Sequence, residues 1–166
     1  MTKTTMRPWK AEWVVSLGAL LGAGLLGLVA SPAAPEITGA PINSGDTAWM
    51  LTATGLVLLM TPGLSFFYGG MVQRKNVIST MLQSFICMGI LSVMWIVFGF
   101  SLAFGDSIGG LIGNPMTYFM FKGVGAATHA ELAPTIPLAL FAMFQLKFAI
   151  ITPALITGSF AERVRF

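Results

Sequence analysis

Apolar positions fall into four long blocks along this chain, and single charges or charge pairs mark where each block stops. The blocks cover 13–35, 47–73, 76–105 and 132–161, and only Lys147 interrupts the last. Asp46, Arg74, Lys75 and Asp106 bound the middle two. A membrane-spanning helix takes about 20 apolar residues at a rise of 1.5 Å each, and every block reaches that length. Each is too long and too apolar for a buried helix of a soluble domain. The first block differs from the rest. Lys3, Arg7 and Lys10 precede an apolar centre near 14–30, and Ser31-Pro32-Ala33-Ala34-Pro35 follows it. That order matches a secretory signal peptide, with an uncleaved signal anchor as the alternative. The predicted organisation is a signal peptide or anchor over 1–35, then helices at about 47–72, 77–104 and 136–161 within 36–166. A loop over 105–135 separates the last two. Gly109, Gly110, Gly113, Gly123, Gly125 and Pro115 argue against a long regular helix in that loop. The fold class is an all-α polytopic membrane protein, a helical bundle.

Composition sharpens this picture. Only 9% of the 166 residues are charged, against roughly 25% in an ordinary soluble domain, and 55% are hydrophobic. A soluble domain and a disordered chain are both excluded. The net charge of +3 comes from scattered bases rather than a basic face, so no nucleic-acid partner is implied. The basic residues also set the orientation. Lys3, Arg7 and Lys10 form one cluster, Arg74 and Lys75 a second, Arg163 and Arg165 a third. Under the positive-inside rule all three are cytoplasmic, and an even number of crossings joins each to the next. Glu36, Asp46, Asp106, Glu131 and the single base Lys122 are left outside. The expected location is the cell inner (plasma) membrane, multi-pass, with the mature amino terminus outside and the carboxyl end cytoplasmic. Cys87 and His129 are each alone in the chain. No disulfide, no two-histidine chemistry and no enzyme-like constellation can be assembled from them, and no cofactor or metal is implied.

A few positions could carry chemistry. Pro62 removes a backbone hydrogen bond and favours a kink, and Gly69 and Gly70 permit close helix approach. Ser79, Thr80, Gln83 and Ser84 should face protein rather than lipid. Phe100 and Phe104 read as an interfacial aromatic belt. Phe144 and Phe148 are four apart and share a helix face, with Gln145 and Thr152 along the same stripe. Aromatic faces can hold a small cation, although such spacing also suits plain packing. Pro153 should kink the last helix or be relieved by a hydroxyl. Lys147 sits near mid-span, where a charge costs about 2.5–3.5 kcal/mol on insertion scales, so a structural and a pathway role stay equally open. Glu162-Arg163 suggests a salt bridge or a loop cap. His129 reads as a solvated loop residue.

The stretches DTAWMLTATGLVLLMTPGLSFFYGGMVQRKNV, SLAFGDSIGG and FQLKFAIITPALITGSFAERVRF resemble the Amt/Mep/Rh ammonium transporter family, specifically its Amt branch. The likeness runs from about Asp46 to Phe166. It implies an eleven-helix protomer of two inverted halves, assembled as a homotrimer, with a narrow hydrophobic pore in each protomer. It also implies ammonium or ammonia as substrate, the lipid bilayer as surroundings, a cytoplasmic regulator of the PII type and a role in nitrogen metabolism. By resemblance, Phe148 matches an outer-gate phenylalanine, Phe144 its vestibule neighbour and Gln145 the polar residue beside it. Asp106 matches an acidic position after SLAFG. Pro62, Gly63, Gly69 and Gly70 match packing positions, and Glu162 and Arg163 match the end of the third helix. Lys147 departs from the methionine or small residue the pattern leads one to expect. The recruitment tryptophan, second gate phenylalanine, structural aspartate and twin histidines of the family belong to later helices. Three helices cannot enclose a conduit, so this portion is expected not to conduct alone. An ammonium-sensing module of the same family and a non-functional membrane fragment are the alternatives.

Overall fold

The computed structural model describes residues 40–163, together with the isolated positions Gly18 and Gly22. The signal segment predicted over 1–35 lies outside the described residues, as do Lys3, Arg7, Lys10 and Arg165. The chain divides into two units, Met1–Pro32 and Ala33–Phe166, and the fold below is that of the second.

Three long apolar helices build it. Helix α1 is Ser44–Met71. Asn43 caps it: its Oδ1 accepts from the N–H groups of Gly45 at 2.8 Å and Asp46 at 3.2 Å. Asp46 adds a negative charge in the first turn, where the helix dipole favours one. At 28 residues α1 extends about 42 Å, enough to cross a hydrocarbon core of about 30 Å. It runs on through Pro62.

A short 3₁₀ turn, Arg74–Asn76, leads into α2, Val77–Met94. A π-helical turn, Trp95–Gly99, then joins α2 to α3, Phe100–Phe104, so that 31 residues from Arg74 form one span. In an α-helix, residues five apart point roughly 140° away from each other. The π turn, with its i→i+5 bond from Phe100 N–H to the Trp95 carbonyl, aligns Trp95 with Phe100 instead. Their rings meet edge to face at 5.9 Å. The Trp95 indole N–H also donates to the Ala142 carbonyl of α4, Leu138–Thr157, at 3.1 Å.

The 105–137 connection is more ordered than its glycines suggest. Strands β1, Ser107–Ile108, and β2, Ile112–Gly113, pair antiparallel with Ile108 opposite Ile112. Gly109 and Gly110 turn the hairpin at φ of 62° and 75°, a left-handed backbone that glycine adopts without strain. A 3₁₀ turn, Phe119–Phe121, follows. Beneath it lies the main core, made of Phe100, Tyr118, Ala133, Ile136, Leu138 and Ala142. Phe100 is fully buried there, with the Phe104, Tyr118 and Phe121 rings 5.3–5.6 Å away. This corrects the belt reading for Phe100, which the connection covers from above. Helices α1, α2 and α4 pack pairwise against one another. Between α1 and α2 the contact is polar and small. Thr61, Ser65, Gly69, Thr80 and Ser84 are all buried, and the Ser65 hydroxyl donates to the Met81 carbonyl at 3.2 Å. Such small residues let backbones approach closely where lipid offers no hydrophobic drive.

Candidate functional site: an aromatic groove between α1 and α4

Two helical stripes face each other across a groove of about 570 Å³. Met60, Gly63, Leu64 and Phe67 supply the α1 side; Phe148, Ile151, Thr152 and Leu155 supply the α4 side. Both sets recur at i, i+3, i+4, i+7, the spacing of one helix face. Gly63 keeps the middle open, since nothing lies within 4 Å of where its Cβ would be.

Phe148 is the most chemically specific member. The residue is 41% exposed, so part of its ring surface is open to what lies outside these helices. Phe144 meets it edge-on, with centroids 5.2 Å apart and planes at 72°. That arrangement suits the ring quadrupoles and restrains both rings. The Thr152 hydroxyl donates to the Phe148 carbonyl at 2.8 Å. One residue later, Pro153 has no N–H to offer the turn before it, so a hydroxyl bond here supports the helix where the backbone ladder is interrupted. The groove is therefore apolar, with two aromatic rings and one hydroxyl whose proton is already committed. It can attract a small cation to a ring face, and it holds no group able to coordinate or cleave anything. Among the described residues, no cluster of metal-ligating side chains occurs.

With this geometry in hand, the comparisons with known proteins are decisive. The profile of the Ammonium Transporter Family matches residues 48–166. The chain belongs to that family. An ammonium transporter of Mycobacterium bovis is 48% identical over 143 residues, covering 78% of this chain and 30% of that protein. One from Bacillus subtilis is 50% identical over 128 residues, covering 75% of this chain and 30% of its own length. One from Aquifex aeolicus is 44% identical over 128 residues, again 30% of its length. The chain thus spans about 30% of the relatives it matches. As a member of the Ammonium Transporter Family with, among the described residues, three helices long and apolar enough to cross a bilayer, it is a multi-pass membrane protein.

The other sequence-predicted positions of this family member lie along α4 and toward the two ends of the bundle. Gln145 is half-buried on α4 and, like Phe144, does not line the groove. Lys147 is half-buried at the tenth position of the 20-residue α4. The close helix approach falls on Gly69, where a methyl would lie 3.0 Å from Met81 Cγ, whereas at Gly70 it would meet open space. Asp106 ties the hairpin down: its Oδ2 accepts from the Thr117 hydroxyl at 3.1 Å, and its carbonyl accepts from Asn114 N–H at 2.7 Å.

Past α4, Glu162 turns back with φ of 66° and reaches the α1–α2 connection. Its Oε1 accepts from Gln73 N–H at 2.6 Å and from Asn76 Nδ2 at 3.1 Å. These bonds, the Gln73 amide first and then Asn76, hold its carboxyl below the ordinary carboxylate range. Of the two sequence readings for this end, the loop cap is the one observed. Arg163 beside it is exposed, its N–H bonded to the Phe160 carbonyl at 3.0 Å. Nearby, the Tyr68 hydroxyl donates to the Leu155 carbonyl at 3.1 Å, and its ring lies flush against Gly158.

Sequence reasoning missed Met60, Leu64 and Phe67 as the opposite wall. Their spacing carried the signal, but α1 is apolar on nearly every face and the stripe does not stand out. His129 needs the opposite correction. It is 7% exposed and fully hydrogen-bonded, so the solvated reading fails.

Proposed function

We propose that this chain supplies one wall of a transmembrane path for ammonium, and that the α1–α4 groove is part of that wall. The observation that carries the reading is the partly exposed Phe148, in T-shaped contact with Phe144 and lining an apolar groove, in a chain of the Ammonium Transporter Family. A cation–π contact at one ring is worth about 0.5–2 kcal/mol, enough to enrich ammonium at the mouth without trapping it. The apolar lining below suits passage of an uncharged species better than of an ion. The groove is open along one side, so these three helices form a wall rather than a closed conduit, and further helices complete it. Transport, rather than catalysis, is the role that membership of the family supports.

The finer placement belongs to the same proposal. The basic pair Arg74-Lys75 and Arg163 set the Glu162 end on the cytoplasmic side of the cell membrane, with the hairpin connection outside. Assembly as a homotrimer and regulation by a PII-type protein at the cytoplasmic face accompany this reading through the family. Lys147, at mid-span, faces protein or water rather than lipid.

The test uses a chimera in which this chain replaces the corresponding third of a full-length relative, expressed in cells without ammonium transporters. Methylammonium uptake should be restored. Phe148→Ala should lower it about two- to thirty-fold, the range of the lost cation–π contact, at unchanged protein in the membrane. Undiminished uptake in the Phe148→Ala chimera would exclude the ring from the path.

A further inference from the structure

His129 is the single histidine of the chain and both of its ring nitrogens are engaged. Nδ1 faces the backbone N–H groups of Glu131 at 3.3 Å and Leu132 at 3.2 Å. Those groups can only donate, so Nδ1 must be the bare acceptor nitrogen. Nε2 then carries the proton and donates to the Tyr118 hydroxyl at 3.1 Å. The ring sits in a knot of backbone bonds. His129 and Ala133 exchange N–H···O bonds of 2.9 and 3.0 Å, and the Thr128 hydroxyl donates to the Ala40 carbonyl at 2.8 Å. Leu138 N–H, at the start of α4, donates to the Ala127 carbonyl at 2.9 Å. Asn43 N–H, at the start of α1, donates to the Thr135 carbonyl at 2.8 Å. Tyr118 N–H reaches the Ser101 hydroxyl of α3 at 2.8 Å. One imidazole therefore stands where the ends of all three spans are tied together.

We propose that His129 is an acid-operated latch: proton uptake at Nδ1 releases the 128–133 segment from the bundle. The neutral ring is the only form that fits. An imidazolium has two N–H groups and no acceptor, so a proton on Nδ1 would point at two N–H groups that have no other partner. Imidazole is also the side chain whose charge ordinarily changes between pH 5 and 8. Tyr118, against Nε2, and Glu131, two residues on, are the titratable groups beside it, while Asp106 and Lys122 are the other charged groups of the same connection. Burial first, then the charges of Asp106 and Glu131, push the Tyr118 phenol up, so it stays a neutral hydroxyl throughout. Asp106 is bonded to Thr117, and His129 makes its own hydrogen bonds to Tyr118 and backbone alone. Glu131 is exposed, so its carboxylate becomes a partner for the charged ring once the segment swings out. The latch does not depend on conduction, and its failure would leave the transport reading intact.

Amide hydrogen exchange of the full chain in lipid nanodiscs tests it, with rates corrected for the intrinsic pH dependence of exchange. Protection of the Glu131, Leu132 and Ala133 amides should fall about tenfold or more between pH 7.5 and 5.5, a range in which ordinary carboxylates stay ionised. His129→Asn places Oδ1 where Nδ1 was and has no proton to gain. It should hold its protection at both pH values. Tyr118→Phe should weaken protection at both and keep the acid response. Equal protection of the wild-type amides at the two pH values overturns the latch, as does an equal acid loss in His129→Asn. If His129→Asn does not insert, ¹⁵N spectra of the wild-type ring decide. A bare Nδ1 with a protonated Nε2 at pH 7.5 supports the proposal, and an Nδ1 that already carries the proton there refutes it.

Discussion

Phe148 lines the α1–α4 groove, and Phe144 packs against it in a T-shaped pair. The consequence at the residue scale is a separation of effects. On the proposed role, truncating Phe148, which is 41% exposed, should remove a cation contact more than it removes packing. Phe148→Ala should therefore lower uptake while leaving membrane expression near wild type. Gly158 is the reverse case. The Tyr68 ring occupies the space a side chain would need, with atoms 2.5 Å from the Cβ position. Gly158→Ala should cost about 1–3 kcal/mol by overpacking, read as a lower unfolding temperature in detergent, while Tyr68→Phe, which loses only a hydroxyl, costs less. Glu162 adds a pH dependence. Its carboxyl titrates below the ordinary value of 4.5 because the Gln73 and Asn76 groups bond the ionised form. A depressed carboxylate stabilises above its unfolded value and loses that contribution as pH falls through the folded one. Exchange of the Gln73 amide should accelerate only below that range, and the acid response should vanish in Glu162→Gln.

Along the elements, the three spans could be read from the sequence because charges bracket them so sharply. The predicted 77–104 meets a span of Arg74–Phe104, and 47–72 meets Ser44–Met71, which starts three residues earlier behind its Asn43 cap. At the far end, 136–161 shortens to Leu138–Thr157, since Gly158 and the following residues turn toward Glu162. What hydropathy could not show is the π turn, because a one-residue insertion leaves composition unchanged and alters only which side chains share a face. Trp95→Phe tests that element: the aromatic packing stays, the bond to Ala142 goes, and stability should drop by about 0.5–1.5 kcal/mol. Lys147 tests α4. Lys147→Leu should raise the fraction of an isolated 138–157 segment that inserts in a glycosylation-mapping assay, by removing a mid-span charge worth about 2.5–3.5 kcal/mol. An unchanged fraction would move Lys147 away from the membrane centre.

For the whole molecule, sequence patterning anticipates crossings better than it anticipates how loops pack. The 105–137 connection reads as irregular from its glycines, yet those glycines make the hairpin, and the segment buries Phe100 and His129. Burial of this kind depends on contacts across dozens of residues, which no local pattern encodes. The groove was half visible: the aromatic stripe of α4 stands out, its α1 partner does not. Orientation can be checked directly. In a Cys87→Ser background, Leu111→Cys on the hairpin should react with an impermeant thiol reagent from outside, and Lys75→Cys only after permeabilisation. The most direct test of the central claim places a single cysteine at Thr152, inside the groove, in the chimeric transporter. A small cationic methanethiosulfonate reagent should block methylammonium uptake by modifying it, and ammonium should slow that modification. A cysteine that is modified without any loss of uptake would contradict the assignment of this groove to the ammonium path.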